Sequence, residues 1–178
     1  AYSSLVFISG ESIGRVSRCI HYFGADAMVI LIGLHTIRVY LMASYKYPRQ
    51  VNWLTGVALL VLTLLMAFTG QLLRWDQTGF WSVLIAAEQA GRVPVIGSWL
   101  GHFILAGDTV GGATLSRFYA AHVFFIPGLI FLLVAFHLYL VVHNGISEPP
   151  SAHQPVDPKT YRPWYHALLA QDGEAFWP

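Results

Sequence analysis

The chain has 178 residues, of which 56% are hydrophobic and only 11% charged, too apolar a composition for an ordinary soluble domain. A formal net charge of +1 offers no basic footprint for nucleic acid, so no nucleic-acid partner is expected. The single cysteine, Cys19, excludes an intrachain disulfide.

The opening stretch, AYSSLVFISGESIG, has neither an initiating Met nor a basic stretch followed by a long apolar core. It reads as an internal start rather than a signal peptide. Three segments then follow that can cross a bilayer, which takes about 20 apolar residues in a helix. They run roughly from Tyr22 to Ala43, from Val51 to Leu73 and from Arg117 to Val142. The short polar link SYKYPRQ makes the first two an antiparallel pair. The connection from Arg74 to Ser116 is too polar to span, but FWSVLIAAEQ and SWLGHFIL within it have the character of short amphipathic surface helices. Beyond HNGISEPP the tail is rich in proline and carries no apolar run, so it is expected outside the bilayer.

By parity, the short link and the tail share one side of the membrane, and the N-terminus and long connection share the other. Lys and Arg divide evenly: Arg38, Lys46, Arg49, Lys159 and Arg162 against Arg15, Arg18, Arg74, Arg92 and Arg117. The positive-inside rule therefore selects no orientation, and the arginines at the outer helix ends need another reason to be there.

Histidines give that reason. His21 and His35 are fourteen residues apart on the first helix, about 40° short of four full turns, so both project from nearly one face. His122 and His137, fifteen apart on the third helix, repeat the arrangement with about 60° of overshoot. The first and third helices cross in the same direction, so His21 is expected opposite His122 and His35 opposite His137. A single intramembrane histidine can be an interhelical hydrogen-bonding residue. Two matched pairs at two depths fit axial ligation of two haems, because every polar side chain in hydrocarbon needs a compensating partner. The middle helix carries Gly56 and Gly70, again fourteen apart and each preceded by threonine, where a flat macrocycle would need close backbone approach. Small-residue helix packing is the competing account of the two glycines.

The stretches RCIHYFGA…GLHTIRVY, YKYPRQVNWLTG, FTGQLLRWDQTGFW, VPVIG and TLSRFYAAHVFFIPG…FHLYLVVHNGISEPP resemble cytochrome b, the di-haem core of quinol–cytochrome c and plastoquinol–plastocyanin oxidoreductases. The fifteen-residue spacing and NGISEPP are similar to the b6-like branch. The resemblance implies an all-α membrane protein: transmembrane helices of a di-haem four-helix bundle, three of them here and the first missing, with surface helices in the long loop. It divides the chain into a di-haem domain over 1–148 and an extramembrane tail over 149–178 that leads toward a C-terminal cytochrome b segment. It implies two b-type haems, His21 and His122 holding the iron nearer the positive side and His35 and His137 the other.

The same resemblance implies propionate contacts for Arg18 and Arg38, each one turn from a ligand histidine and shifted toward water, where a guanidinium pairs well with a carboxylate; snorkelling at the interface is the plain alternative. Arg117 sits at the matching end of the third helix, as a cofactor contact or a structural ion-pairing residue. Pro127 is expected to bend that helix just past His122. His143 would be a quinone contact or a solvated helix end. Asp26, where the family has a small neutral residue, reads as a water-bonded or protonated carboxylate, with a proton-relay role as its functional alternative. LLRW departs from the family's Leu-Pro-Trp.

The implied function is transmembrane electron transfer as the cytochrome b subunit of a quinol-oxidising bc-type oxidoreductase, coupled to proton translocation, with quinone as substrate. The implied partners are a C-terminal cytochrome b subunit, a Rieske-type iron–sulfur protein, a c-type cytochrome and lipid, in a dimeric complex. The setting would be a bacterial cytoplasmic membrane or a thylakoid. No Cys-x-x-Cys-His is present, and a third, covalent haem of the kind found in this branch would need a cysteine on the missing helix. The family's quinol-oxidising Pro-Glu-Trp-Tyr motif is also absent, so activity alone is not expected. Two other classes, a di-haem anchor of a dehydrogenase or hydrogenase and a haem-free proton-coupled transporter, remain as alternatives.

Overall fold

A computed structural model describes residues 1–145 together with residues 159, 162, 163, 166, 167 and 170. Most of the tail expected over 149–178, His153 included, lies outside the described residues. Every regular element among the described residues is helical: α1 (Tyr2–Gly10), α2 (Ser12–Leu41), α3 (Gln50–Leu73), α4 (Gln77–Gly91), α5 (Gly97–Leu105), α6 (Gly112–Ala120), a π-helical turn (Ala121–Phe125) and α7 (Ile126–Asn144). Among the described residues three helical runs are long and apolar enough to cross a membrane, namely Ser12–Leu41, Gln50–Leu73 and Gly112–Asn144. They are the three expected from the sequence, with α2 starting at Ser12 rather than Tyr22. Apolarity sets how much of a helix can sit in hydrocarbon, whereas the helix itself continues into the interface until backbone chemistry stops it. Here the stop is Glu11, which is extended and separates α2 from α1.

The chain divides into two compact units, one of Ala1–Val29 with Val61–Ile130 and one of Ile30–Leu60 with Phe131–Pro178. In the first, Leu72, Val83 and Phe118 form a buried cluster against which Phe68, Trp75 and Ile104 pack. The α4–α5 pair supplies much of this unit. Asp76 caps α4 by accepting a hydrogen bond from the Gly79 N–H at 2.9 Å, as a carboxylate does best at a helix start. The two helices close tightly because Gly97 has no side chain: a Cβ there would lie 2.3 Å from the Gly91 carbonyl oxygen. Thr114, fully buried, donates to the Leu105 carbonyl at 2.5 Å and accepts from the Gly111 N–H at 3.0 Å. One side chain thus anchors the entry of α6 to the end of α5.

In the second unit the buried Arg49 holds the end of α7, donating to the Gly145 carbonyl at 3.0 Å and the Asn144 carbonyl at 3.1 Å. Helix C-termini leave carbonyls without intrahelical partners, and a guanidinium both satisfies them and complements the negative end of the helix. Asn144 donates in turn to Asn52 at 2.6 Å, which ties the end of α7 to the start of α3. Tyr47 meets His166 at 2.9 Å and lies under the Arg162 guanidinium, 4.7 Å from its ring centre. The short link and this part of the tail are therefore in contact, as parity requires.

At Pro127 the helix widens. The Ile126 N–H reaches back five residues to Ala121, forming the π turn that contains His122. Proline cannot donate, and its ring crowds the carbonyl four residues back, Val123; a wider turn relieves that crowding without ending the helix.

Candidate haem sites

In the first unit, His21 on α2 and His122 in the π turn face each other with ring centres 6.1 Å apart and planes at 86°. A metal–imidazole bond is about 2 Å long, so two rings on opposite sides of one metal stand roughly 6 Å apart centre to centre. The Nδ1 of His122 is 3.0 Å from the Met66 carbonyl oxygen and 3.1 Å from Thr69 Oγ1. The Thr69 hydroxyl gives its own proton to the Leu65 carbonyl at 2.9 Å, or to that of Met66 at 3.1 Å, so toward His122 its oxygen accepts. Both neighbours therefore call for a proton on Nδ1, which leaves the lone pair on Nε2. Gly70 lies against the same ring: a Cβ there would be 2.5 Å from His122 Cε1.

The second unit repeats the chemistry. Thr55 Oγ1 stands 2.8 Å from His137 Nδ1 while donating to the Asn52 carbonyl at 2.8 Å. His137 is again fixed with its proton on Nδ1 and its lone pair on Nε2. His35 lies on the part of α2 that belongs to the same unit. Gly56 takes the place of Gly70, with a would-be Cβ 3.4 Å from His137 Cε1.

This donor set suits haem. A metal-ligating histidine nearly always gives its second N–H to a carbonyl or another oxygen, which fixes the tautomer and the ring angle. Among the described residues no group of three His, Cys, Asp or Glu side chains comes together. Each histidine pair thus offers two nitrogen donors and no more, which would suit a cofactor that brings the rest of its metal's ligands with it.

The remaining candidates fall as follows. Arg18, one turn before His21, donates to Ser9 and to the Leu5 carbonyl of α1. Arg38 is exposed on the last turn of α2. Arg117 is committed to α5: it donates to the Phe103 carbonyl at 2.9 Å and lies over the Phe103 ring at 5.4 Å. His143 is exposed, with Nδ1 3.1 Å from Asn144 Oδ1. Asp26 is exposed on α2. No residue of α2 is buried, so the helix that carries His21 and His35 leaves its apolar sides to lipid or to a neighbouring chain.

Comparison with known proteins gives this arrangement its place. A family model described as Cytochrome b(N-terminal)/b6/petB matches residues 26–177. The chain belongs to this cytochrome b/b6 family. Cytochrome b6 of Synechococcus elongatus is 41% identical over 150 residues, covering 84% of this chain and 70% of that protein. Cytochrome b6 of Mastigocladus laminosus is 40% identical with the same coverage, and that of Prochlorococcus marinus 38% identical over 84% of this chain and 69% of its own. Among solved structures, a chain of a hyperthermophilic respiratory Complex III superposes with a TM-score of 0.77 at 27% identity over 96% of this chain. This cytochrome b spans half the length of that chain. Membership carries b-type haem with it, and with three spanning helices the chain is a multi-pass integral membrane protein.

Thr55 and Thr69, which orient the His137 and His122 imidazoles, carry no role in the sequence analysis. Their signal was present, since a threonine immediately precedes each of the two paired glycines.

Proposed function

We propose that this cytochrome b holds two b-type haems, one between His21 and His122 and one between His35 and His137, and transfers electrons as part of a quinol-oxidising bc-type complex. The observation that carries the reading is the His21–His122 pair, 6.1 Å apart with the Nδ1 of His122 already engaged. When bound between two imidazoles, haem iron has no open coordination position and exchanges single electrons rather than activating a ligand. The chain's own residues do the rest. Thr69 and the Met66 carbonyl hold His122 in the tautomer that presents Nε2, and Thr55 does the same for His137. Gly70 and Gly56 keep the wall beside each imidazole free of side-chain bulk.

Relatives named cytochrome b6 support the finer proposals: quinol as electron donor, charge transfer coupled to proton translocation, and work beside a C-terminal cytochrome b segment, a Rieske-type protein and a c-type cytochrome in a dimeric complex of the bacterial membrane. Arg38 at the last turn of α2 is the propionate contact proposed for the second haem, and His143 the quinone contact.

The test is a pyridine haemochrome assay with a reduced-minus-oxidised spectrum on the chain in its native membrane. Two protohaems per chain are expected; a chain without haem would overturn the proposal.

A further inference from the structure

Arg18 and Arg74 line one cavity of about 520 Å³, together with Ser9, Tyr22 and Asp76. Arg18 precedes His21 by three residues, and Arg74 follows Gly70, the residue against His122, by four. On antiparallel helices these offsets bring both guanidiniums to the same outward side of the His21–His122 pair. Tyr22, the neighbour of His21 in sequence, lines the same space. Asp76 pairs with Arg74, and among the described residues Arg18 bonds to the neutral Ser9 hydroxyl and the Leu5 carbonyl. Two fixed cations therefore face this cavity against one carboxylate, an excess of one positive charge where an anionic group would be received. Arg74 is also the residue that replaces proline in the family's Leu-Pro-Trp pattern, so the feature belongs to this chain rather than to the resemblance.

We propose that Arg74 acts with Arg18 as a cationic clamp for the carboxylates of the haem held by His21 and His122, and that Asp76 moderates the charge of the clamp. The proposal rests on the haem reading above. Paired guanidiniums bind carboxylates with directional, charge-assisted hydrogen bonds, and a cation beside a haem favours the reduced iron, which carries one positive charge fewer. A lipid phosphate held in the same clamp would neutralise the guanidinium and leave Arg74 little effect on the haem's potential.

The experiment is a redox titration of both haems, with haem content measured in parallel, in membranes carrying the wild type, Arg74→Gln, Arg74→Lys and Asp76→Asn. Asparagine caps a helix about as well as aspartate, so Asp76→Asn removes the charge while α4 keeps its start. Arg74→Gln is expected to lower the reduction equilibrium of the His21–His122 haem by roughly three- to tenfold, tenfold being about 59 mV for one electron. Asp76→Asn is expected to raise it, Arg74→Lys to stay near the wild type, and the other haem to keep its potential throughout. Loss of the first haem from Arg74→Gln with retention in Arg74→Lys also supports the clamp. An unchanged midpoint in Arg74→Gln with both haems bound overturns it, and so points to a lipid phosphate or to no ligand. A wild-type chain lacking the His21–His122 haem refutes instead the reading on which the clamp rests.

Discussion

Thr55 Oγ1 lies 2.8 Å from His137 Nδ1 and passes its own proton to the Asn52 carbonyl at the same distance. The hydroxyl is thus oriented from behind, and it can only accept from the imidazole. Thr55→Val keeps the shape and removes the acceptor. Outer partners of this kind are worth about 10- to 100-fold in metal affinity. Thr55→Val should weaken retention of the His35–His137 haem and raise its midpoint, because an imidazole without that hydrogen bond donates less to the ferric iron. Thr69→Val should do the same to the other haem. Titration of both centres in both variants checks the assignment, and a shift in the wrong centre contradicts it.

Removing a ligand should act on one centre at a time. His122→Ala is expected to lower haem content from two to one and to leave a single redox component, as is His137→Ala, with the surviving component different in the two variants. Pyridine haemochrome counting with a redox titration reads both. Loss of both haems from one variant would mean that the sites are not separately built.

Gly70 and Gly56 should differ in tolerance. An added Cβ meets His122 at 2.5 Å but His137 at 3.4 Å. Gly70→Ala has to displace the ring, at a cost of about 1–3 kcal/mol, whereas Gly56→Ala asks for a few tenths of an ångström. Haem occupancy after purification should fall more for Gly70→Ala; equal losses would show that the porphyrin, and not the imidazole, sets the limit.

The spans and the facing of His21 with His122 were legible in the sequence, because each depends on spacing along a helix, and helical spacing is fixed by backbone geometry. Less legible were features set by the third dimension. Arg18 and Arg117 look alike in sequence, one turn or so before a histidine, yet Arg18 reaches α1 and Arg117 reaches the Phe103 carbonyl on α5. Only the position of the neighbouring helix separates them. Pro127 signalled a disturbance near His122, but whether a helix answers with a break, a bend or a wider turn depends on what packs around it.

Arg49 should be costly to lose. It is buried and serves two carbonyls at the end of α7, and hydrogen bonds from a charged donor are worth about 1.5–3 kcal/mol each. Arg49→Gln should lower thermal stability and raise amide exchange at the end of α7, with Arg49→Lys intermediate. Exchange unchanged at Asn144 and Gly145 would show that the clamp is dispensable.

Acid should loosen α4 at its start. The Gly79 N–H, and after it Arg74, hold the Asp76 carboxyl below its usual range. A depressed folded-state pKa stabilises the fold above the unfolded value and loses that contribution as pH falls through the folded one. Exchange at Gly79 should therefore quicken only in acid below the ordinary carboxylate range. Asp76→Asn should abolish that pH dependence, and Asp76→Ala should cost about 1 kcal/mol at neutral pH.

The wide turn at Ala121–Phe125 holds one residue more than an α-helical turn does. A π turn accommodates a single-residue insertion without breaking the helix around it. Excising Val123, Phe124 or Phe125 would leave His122 and His137 fourteen residues apart, the interval already found between His21 and His35. The π turn is thus the place where one residue can be removed while the helix on either side continues.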